Sequence, residues 1–415
     1  MSPSEPKPPN DATVALLKDP YRFISERCRR LGTEGFETHV LLKDTTCLKG
    51  PEACALFYDP ERIKREGAMP SPIRKTLLGE GGVQGLDGEA HRHRKQLFMD
   101  LMAPERVRAL GDLVGEEWTR VAAHWAATGG DIRLYDELHP MLTRAVCAWA
   151  ETPLGDGDVQ RRARQLRALF DAAGARSPRH LWSRHARRKV DQWLKGVIEA
   201  VREGRHRPAE ASATFCIAQA RDLSGDLLPA EVAAVELANV LRPTVATAVY
   251  VVFVALALHA HPAAALAARA SPAARRAFLQ EVRRFYPFFP ALIARSRRSF
   301  TWRGLAFPQD RQVIFDLYGT NHDPQAWGDP EAFRPERFEA RPPGPFEFVP
   351  QGGGDHLTGH RCPGEWIVLE IMDRSFEALS RTMRYEVPQQ NLDLDFRRLP
   401  ALPRSGFIMR GVELT

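Results

Sequence analysis

One cysteine near the C-terminus has neighbours that suit it to bind a metal. Cys362 follows the glycine-rich residues 352–354 and precedes an apolar, helix-forming run over residues 365–372. This spacing predicts that the sulfur lies at a helix N-terminus, where aligned peptide dipoles favour a thiolate, the form that ligates metals. Gly364 would let the helix start lie close against a flat cofactor, and His360 would place a cationic donor beside the same edge.

Two other interpretations of this cysteine remain open. A lone cysteine is usually an inert buried residue. His356, His360 and Cys362 could also form part of a zinc site, although no second cysteine pair with the spacing of a zinc finger is present.

A second feature is the dipeptide Arg242-Pro243 within the longest apolar segment. Residues 229–259 begin with proline and contain no glycine, which predicts about thirty residues of helix, roughly 45 Å long. Proline inside a helix costs about 3 kcal/mol or more, and a buried arginine needs an anion. Two such costs at adjacent positions indicate a functional site, with an internal ion pair to Glu236 or to a distant aspartate as the alternative.

These segments resemble the cytochrome P450 superfamily. The cysteine loop has Gln351 where most members have an aromatic residue, and about four extra residues intervene. This variant is similar to the bacterial fatty-acid peroxygenase family, and closest to its long-chain fatty-acid α-hydroxylases. The resemblance implies the mainly helical P450 fold with a small β part. It also implies a haem b bound through Cys362, whose thiolate favours cleavage of an O–O bond.

The resemblance implies that the arginine binds the substrate. The peroxygenases have the same Arg-Pro pair, and their arginine holds the carboxylate of the fatty acid. A guanidinium fork binds a carboxylate bidentately. A carboxylate held by Arg242 could take a proton from hydrogen peroxide and return it to the departing oxygen, so that no protein acid is needed. The nearest C–H bonds would be those at Cα and Cβ.

We therefore expect peroxide-dependent hydroxylation of long-chain fatty acids, mainly at Cα, with catalysis by Arg242, Pro243 and Gln84. Alkene-forming relatives carry a histidine at the position of Gln84, so glutamine indicates hydroxylation, unless this amide only bonds to the backbone of its turn. The alternatives are a β-hydroxylating or decarboxylating peroxygenase, a haem monooxygenase that depends on a reductase, and a non-catalytic lipid or haem carrier. A peroxygenase needs no obligatory redox partner.

The resemblance also implies which residues surround the cofactor and the substrate. His91 and Lys95 lie four residues apart on a helix that Asp87 could cap, and a basic solvated helix is the alternative. The residues expected at the haem propionates are His91, Lys95, Arg295 and His360. The residues expected to line the substrate channel are Leu78, Phe170, Phe288 and Phe289, although Phe170 could equally be a core aromatic residue.

Three further residues resemble a structural motif of the superfamily that holds the proximal side. Glu281 and Arg284 share a helix face, and Arg337 could close a triad with them. A simple surface ion pair is the alternative for Glu281.

The rest of the sequence pattern and the composition predict the secondary structure, the domain limits and the compartment. Helices are predicted over residues 21–31, 51–58, 104–127, 140–150, 159–173, 178–202 and 273–286, and strands over 36–40, 45–48, 291–300, 313–317 and 394–407. We expect a flexible polar tail over residues 1–12, without a membrane anchor, and one haem-thiolate domain over residues 13–415. Six scattered cysteines and no signal peptide suggest the cytoplasm. A net charge of +6 fits an arginine-rich surface better than nucleic-acid binding.

Overall fold

The structure is a computed structural model that describes residues 11–171 and 178–415. Helices dominate it. They are α1 (Thr13–Lys18), α2 (Phe23–Leu31), α3 (Pro51–Phe57), α4 (Ser71–Ile73), α5 (Gly88–Asp100), α6 (Pro104–Thr128), α7 (Leu134–Ala150), α8 (Val159–Asp171), α9 (Pro178–Arg202), α10 (Ala213–Ala218), α11 (Ala230–Ala246), α12 (Ala248–Ala260), α13 (Pro262–Ala268), α14 (Pro272–Phe285), α15 (Leu317–Asn321), α16 (Pro324–Trp327), α17 (Arg337–Ala340) and α18 (Glu365–Glu377).

The strands form three small sheets. They are β1 (Gly35–Val40), β2 (Lys43–Leu48), β3 (Ile63–Lys64), β4 (Ile132–Arg133), β5 (Ala291–Ser296), β6 (Phe300–Trp302), β7 (Leu305–Phe307), β8 (Gln312–Asp316), β9 (Met383–Glu386) and β10 (Ile408–Leu414). The largest sheet has the order β1-β2-β8-β5-β3, in which only β2 and β8 run parallel. The predicted mainly helical class with a small β part is confirmed.

Two predicted strands differ from the structure. The strand predicted over residues 291–300 ends at Ser296, and Phe300 begins the separate hairpin β6-β7. The sheet predicted over residues 394–407 was placed too early, because that segment forms only an isolated bridge between Leu394 and Pro403. Pro400 and Pro403 cannot donate to a ladder, and the C-terminal pairing is instead made by β10 with β4 and β9.

The central helix is divided. Residues 229–259 were predicted as one helix, whereas α11 ends at Ala246, Thr247 joins the segments and α12 begins at Ala248. Pro243 has no N–H to donate to the preceding turn, and the Thr247 N–H donates to the nearby Thr244 carbonyl at 3.2 Å. The span Ala230–Ala260 is long and apolar enough to cross a membrane, but 94% of its most apolar window is buried, as in a core helix.

The hydrophobic core surrounds this central pair of helices. The largest cluster joins residues of α6, α7, α8, α9, α11, α12, α14 and α18, and two smaller clusters lie against the five-stranded sheet. Helix α7 begins at Leu134, six residues before the predicted start at Pro140. Tyr135 and Leu138 are fully buried, so packing outweighs the hydrogen bond that the internal proline removes.

Three other predictions concern residues at the ends of elements. Asp87 precedes α5 but makes no capping bond to it. Its carboxylate accepts instead from the backbone N–H groups of Arg65 and Glu66, at 2.9 and 2.8 Å. The predicted helix 159–173 and the following turn extend into residues 172–177, outside the described residues. Most of the predicted tail also lies outside them, while Ala12 is buried and donates to the His39 carbonyl.

Candidate active site

Cys362 lies just before α18, where the glycine-rich loop meets the helix. Its backbone N–H donates to the Gln351 carbonyl at 3.2 Å. Burial raises the pKa of the Cys362 thiol, and the nearby Glu365 carboxylate raises it further, against the lowering effect of the Gly364 N–H. In the protein alone, desolvation therefore outweighs the thiolate bias that we predicted from the helix dipole.

The sulfur has one side-chain hydrogen-bond donor among the described residues. Gln351 Nε2 donates to Cys362 Sγ at 3.6 Å. The opposite end of this amide is held by Arg283, whose Nη2 donates to Gln351 Oε1 at 2.8 Å and lies 3.0 Å from Glu365 Oε2. Arg283 and Glu365 are both buried, so the orientation of the amide follows from an ion pair beneath the loop.

A space lies beside this sulfur. A Cβ added at Gly364 would contact only Cys362 Sγ, at 3.8 Å, and would otherwise point into open space. Cys362 itself retains accessible surface although it lies deep in the protein. On the central helices, every residue from 233 to 257 is buried except Pro243. Pro243 and Cys362 are therefore both only partly buried.

Two histidines predicted at the cofactor edge stack on each other. The ring centroids of His91 and His360 lie 3.8 Å apart. Burial lowers the pKa of His91 to about 3, and burial also lowers that of His360, although Asp87 Oδ1 lies 3.4 Å from His360 Nε2. Burial thus disfavours a positive charge on either ring, and the placement of both histidines at the cofactor edge stays a prediction.

The other two cations predicted at this edge, Lys95 and Arg295, differ in their hydrogen bonds. Lys95 Nζ donates to the Gly359 carbonyl and to the Arg361 carbonyl, the latter at 2.7 Å, so it supports the cysteine loop. Burial lowers the pKa of Lys95 to about 8. Arg295, on β5, is half-buried, and no described residue accepts from its guanidinium.

Arg242 is buried and has no carboxylate partner among the described residues. Its Nη1 donates to Asn239 Oδ1 at 3.0 Å and to the Leu77 carbonyl, while its Nε and Nη2 have no described acceptor. Burial and the neighbouring Arg187 lower the pKa of Arg242 to about 9. The alternative ion pair with Glu236 does not form, because Glu236 Oε1 accepts from Arg94 Nη1 at 2.8 Å.

Gln84 lies in the short helical turn Val83–Gly85. Its Oε1 accepts from Asn239 Nδ2 at 3.2 Å, so the amide bonds to a side chain of the central helix and not to the backbone of its own turn. The sequence reasoning missed Asn239. The signal was present, because Glu236, Asn239 and Arg242 recur every three residues and are the only charged or amide residues between positions 233 and 257.

The apolar residues predicted to line the channel fall into two groups. Phe288 and Phe289 are half-buried, and the Phe288 ring lies 4.4 Å from that of Tyr250 on α12. Leu78 is half-buried in the π-helical turn Arg74–Leu78, beside the carbonyl that Arg242 contacts. Phe170 is buried on α8, with its ring against His139 at 6.1 Å, which is the environment of a core aromatic residue.

The three residues of the predicted structural triad lie together. Arg284 Nε and Nη2 donate to both oxygens of Glu281 at 2.7 and 2.8 Å, and Arg337 Nε lies 3.3 Å from Glu281 Oε1. Glu281 and Arg284 are completely buried, so this is not a surface ion pair. The arrangement joins α14 to the start of α17, where Glu281 also accepts from the Arg334 N–H at 2.7 Å.

Comparison with known proteins gives a family. The model of the cytochrome P450 family matches residues 275–392. The chain is 59% identical to cytochrome P450SP alpha (CYP152B1) in complex with (R)-ibuprofen, covering 97% of this chain and 99% of that one, with a TM-score of 0.96. It is 40% identical to cytochrome P450EX alpha (CYP152N1) with myristic acid, over 99% of this chain and 100% of that one, with a TM-score of 0.95.

The chain belongs to the cytochrome P450 family. A variant of cytochrome P450 OleT in complex with arachidonic acid is also similar, at 32% identity over 99% of each chain and a TM-score of 0.94. Curated P450 relatives from plants are more distant. Cytochrome P450 71D18 of Mentha gracilis is 31% identical over 133 residues, which cover 31% of this chain and 26% of that protein's length. The abscisic acid 8'-hydroxylase 3 of Oryza sativa is 26% identical over 95% of this chain and 82% of its own length.

This P450 is a haem-thiolate oxidoreductase of the bacterial fatty-acid peroxygenase branch, as the sequence predicted. The described residues fit a haem bound through Cys362. The glycine beside the sulfur opens onto space, and among residues 11–171 and 178–415 the sulfur has a single side-chain donor and the Arg295 guanidinium has no acceptor. Within the described ranges no group of three His, Cys, Asp or Glu side chains could hold a metal ion, so the zinc alternative has no support there.

Proposed function

We propose that this P450 hydroxylates long-chain fatty acids with hydrogen peroxide, mainly at Cα, and that Arg242 binds the substrate carboxylate. The observation that carries the proposal is the buried guanidinium with Nε and Nη2 unused and no carboxylate partner among the described residues. A buried charge needs a partner. The edge formed by Nε and Nη2 suits a bidentate carboxylate.

The haem would be held by residues from both halves of the chain. Cys362 would supply the axial sulfur, and His91 and Arg295 would bind the propionates, with Lys95 and His360 at the same edge. Lys95 would act mainly by holding the carbonyls of the cysteine loop. When bound, a haem with a thiolate ligand supplies the O–O cleavage and oxygen-transfer chemistry of the family.

The protein supplies few groups of its own for proton transfer. Thr244 Oγ1 donates to the Val240 carbonyl at 2.9 Å, and Thr247 Oγ1 donates to the Pro243 carbonyl at 3.3 Å. Both hydroxyl protons are thus engaged within the helix. We infer that the substrate carboxylate on Arg242 takes the proton from hydrogen peroxide and returns it to the departing oxygen, so no redox partner would be obligatory.

The same anchor would determine the position of oxidation. A carboxylate held at Arg242 brings Cα and Cβ nearest to the reacting centre, and small shifts of the chain change which carbon reacts. Phe288, Phe289 and Leu78 would contact the alkyl chain. The ligands named in the complexes of the relatives, (R)-ibuprofen, myristic acid and arachidonic acid, share a carboxylate and an apolar body, which supports a site for this class of molecule.

Product analysis tests the proposal. We expect purified haem-loaded protein, a long-chain fatty acid and hydrogen peroxide to yield mainly the 2-hydroxy acid without any reductase. We expect Arg242→Ala to retain haem and to lower kcat/KM about 100-fold or more, because two hydrogen bonds to a charge are lost. Arg184→Ala, an exposed arginine on α9, is the matched control.

Three outcomes would contradict the proposal. Unchanged turnover in Arg242→Ala would exclude the proposed role of this arginine. Turnover only with NAD(P)H and a reductase would indicate an ordinary monooxygenase. Fatty-acid binding without product under either condition would indicate a carrier.

A further inference from the structure

Asn239 connects the two polar residues proposed to act on the substrate. It is buried on α11, one helical turn before Arg242. Its Oδ1 accepts from Arg242 Nη1 at 3.0 Å, and its Nδ2 donates to Gln84 Oε1 at 3.2 Å. The Asn239 amide therefore contacts both the Arg242 guanidinium and the Gln84 side chain.

The orientation of the Asn239 amide is determined by its neighbours. A guanidinium can only donate, so it must face Oδ1. The Glu236 carboxylate can only accept when ionised, and Asn239 Nδ2 donates to its Oε2 at 2.9 Å. A flipped amide would place N–H groups against the guanidinium and an oxygen against the carboxylate, so two hydrogen bonds would become repulsive contacts.

Glu236, one helical turn before Asn239, fixes this amide through its carboxylate. The carboxylate is completely buried, and its Oε1 accepts from Arg94 Nη1 at 2.8 Å and from the Val83 N–H at 2.9 Å. The turn that carries Gln84 also lies close to the amide, because a Cβ added at Gly82 would approach Asn239 Nδ2 to 3.0 Å. Asn239 thus has defined contacts on both sides.

These contacts determine which donors remain for a ligand. With Nη1 of Arg242 bonded to Asn239 and Leu77, the Nε and Nη2 edge is left unused. With its Oε1 bonded to Asn239, Gln84 must direct its Nε2 elsewhere, and no described residue accepts from that nitrogen. Both sets of free donors are therefore set by the same asparagine.

We propose that Asn239 is a positioning residue that orients Arg242 and Gln84 together, and so determines how tightly the fatty-acid carboxylate is held and which carbon is presented for oxidation. This inference rests on the proposed function, because it assigns Asn239 a role through the carboxylate-binding arginine. In this role Asn239 acts through the two residues that it orients.

A double-mutant cycle on equilibrium binding tests this role. Palmitic acid is titrated by calorimetry into four haem-loaded proteins: the wild type, Asn239→Ala, Arg242→Ala and the double variant. We expect Kd to rise about tenfold in Asn239→Ala, which corresponds to about 1.4 kcal/mol. We expect the double variant to bind no more weakly than Arg242→Ala, because Asn239 acts through the arginine. Glu231→Gln, at the exposed start of α11, is the control.

Product ratios give a second readout that a purely structural role would not change. We expect Asn239→Ala to lower the ratio of 2-hydroxy to 3-hydroxy product, because the carboxylate is held less firmly. Asn239→Asp keeps the acceptor toward Arg242 but adds a competing carboxylate, so we expect it to weaken binding more than the alanine. If Asn239→Ala does not yield haem-loaded protein, Asn239→Asp replaces it in the cycle.

The possible failures are distinguishable. If the wild type does not bind palmitic acid, or Arg242→Ala binds it as well as the wild type, the proposed function itself is contradicted. If Arg242→Ala loses binding while Asn239→Ala retains both the wild-type Kd and the product ratio, only the inference about Asn239 is overturned. Additive effects of the two alanines on Kd would also overturn it.

Discussion

At the scale of single residues, Gln351 has the most direct contact with the proposed metal ligand. Its Nε2 donates to Cys362 Sγ at 3.6 Å, and its Oε1 is held by Arg283. A hydrogen bond withdraws electron density from a thiolate, and hydrogen bonds to sulfur are among the factors that set the reduction potential of a metal centre. The side chain that replaces the usual aromatic residue is therefore suited to tune the haem.

We expect Gln351→Leu to lower the midpoint potential of the haem, because the thiolate loses its side-chain donor. The measurement is a spectroelectrochemical titration of haem-loaded wild type and variant. Gln96→Leu, at an exposed position of α5, is the control and should leave the potential unchanged. A potential equal to or higher than that of the wild type in Gln351→Leu would contradict this role.

At this scale the sequence pointed to the residues that are energetically unfavourable in their surroundings, and missed the residue that holds them in place. Arg242 and Pro243 could be predicted as a site because each is costly inside an apolar helix. The contact between Asn239 and Gln84 could not, because Gln84 lies 155 positions away along the chain and only the tertiary fold brings the two amides together. The lowered pKa of His360 could not be predicted for a related reason, since stacking on His91 and burial depend on contacts that spacing does not show.

At the scale of elements, the buried triad joins a long helix to an irregular segment. Arg284 on α14 uses three of its donors on Glu281 and on the Asn321 carbonyl. Arg337 at the start of α17 bonds the Trp327 carbonyl at 2.6 Å as well as facing Glu281. One carboxylate therefore neutralises two arginines from different elements, and its loss would leave both without their ion pair.

We expect Glu281→Gln to lower the free energy of unfolding by about 3–5 kcal/mol, because the change leaves a completely buried arginine without its counter-ion. Denaturant titrations of wild type and variant would measure this. Glu336→Gln, an exposed glutamate of the same segment, should change stability little. A loss below about 1 kcal/mol in Glu281→Gln would mean that the triad contributes no more than a surface pair.

The elements themselves were predicted well where local signals agree. The bounds of α9, Pro178–Arg202, match the prediction because proline starts the helix and the apolar positions recur with helical spacing. The early start of α7 and the break at Thr247 could not be predicted, because packing decides whether a helix tolerates an internal proline. The C-terminal strand β10 was missed because its pairing with β4 joins residues far apart in sequence.

At the scale of the whole molecule, a buried acid at the end of β8 should make stability depend on pH. Asp316 is buried, and its Oδ1 accepts from the Gly319 N–H at 2.6 Å. Burial raises the pKa of Asp316 from 3.8 to about 7. Between these two values the native state binds more protons than the unfolded state, so the free energy of unfolding falls as the pH rises through this window.

We expect Asp316→Asn to remove this pH dependence while keeping the acceptor at the start of α15. The wild type should lose stability between about pH 4 and about pH 8, by at most about 4 kcal/mol, and the variant should lose less. Unfolding curves across this range would measure the difference. Asp310→Asn is the control, because its exposed carboxylate pairs with Lys64 and has a lowered pKa. Parallel pH profiles for the wild type and Asp316→Asn would refute the assignment.

The buried cation at Arg242 also has a thermal consequence. Its guanidinium has no carboxylate partner in the part of the chain that the structure describes, so we expect the ligand-free protein to be the less stable form. Any molecule that neutralises the cation stabilises the native state by mass action. Under the proposed function, a fatty acid would therefore protect this P450 against heat as well as serve as its substrate. Supply of lipid would then govern how long the enzyme survives between turnovers, and preparations stripped of lipid would lose activity sooner in storage.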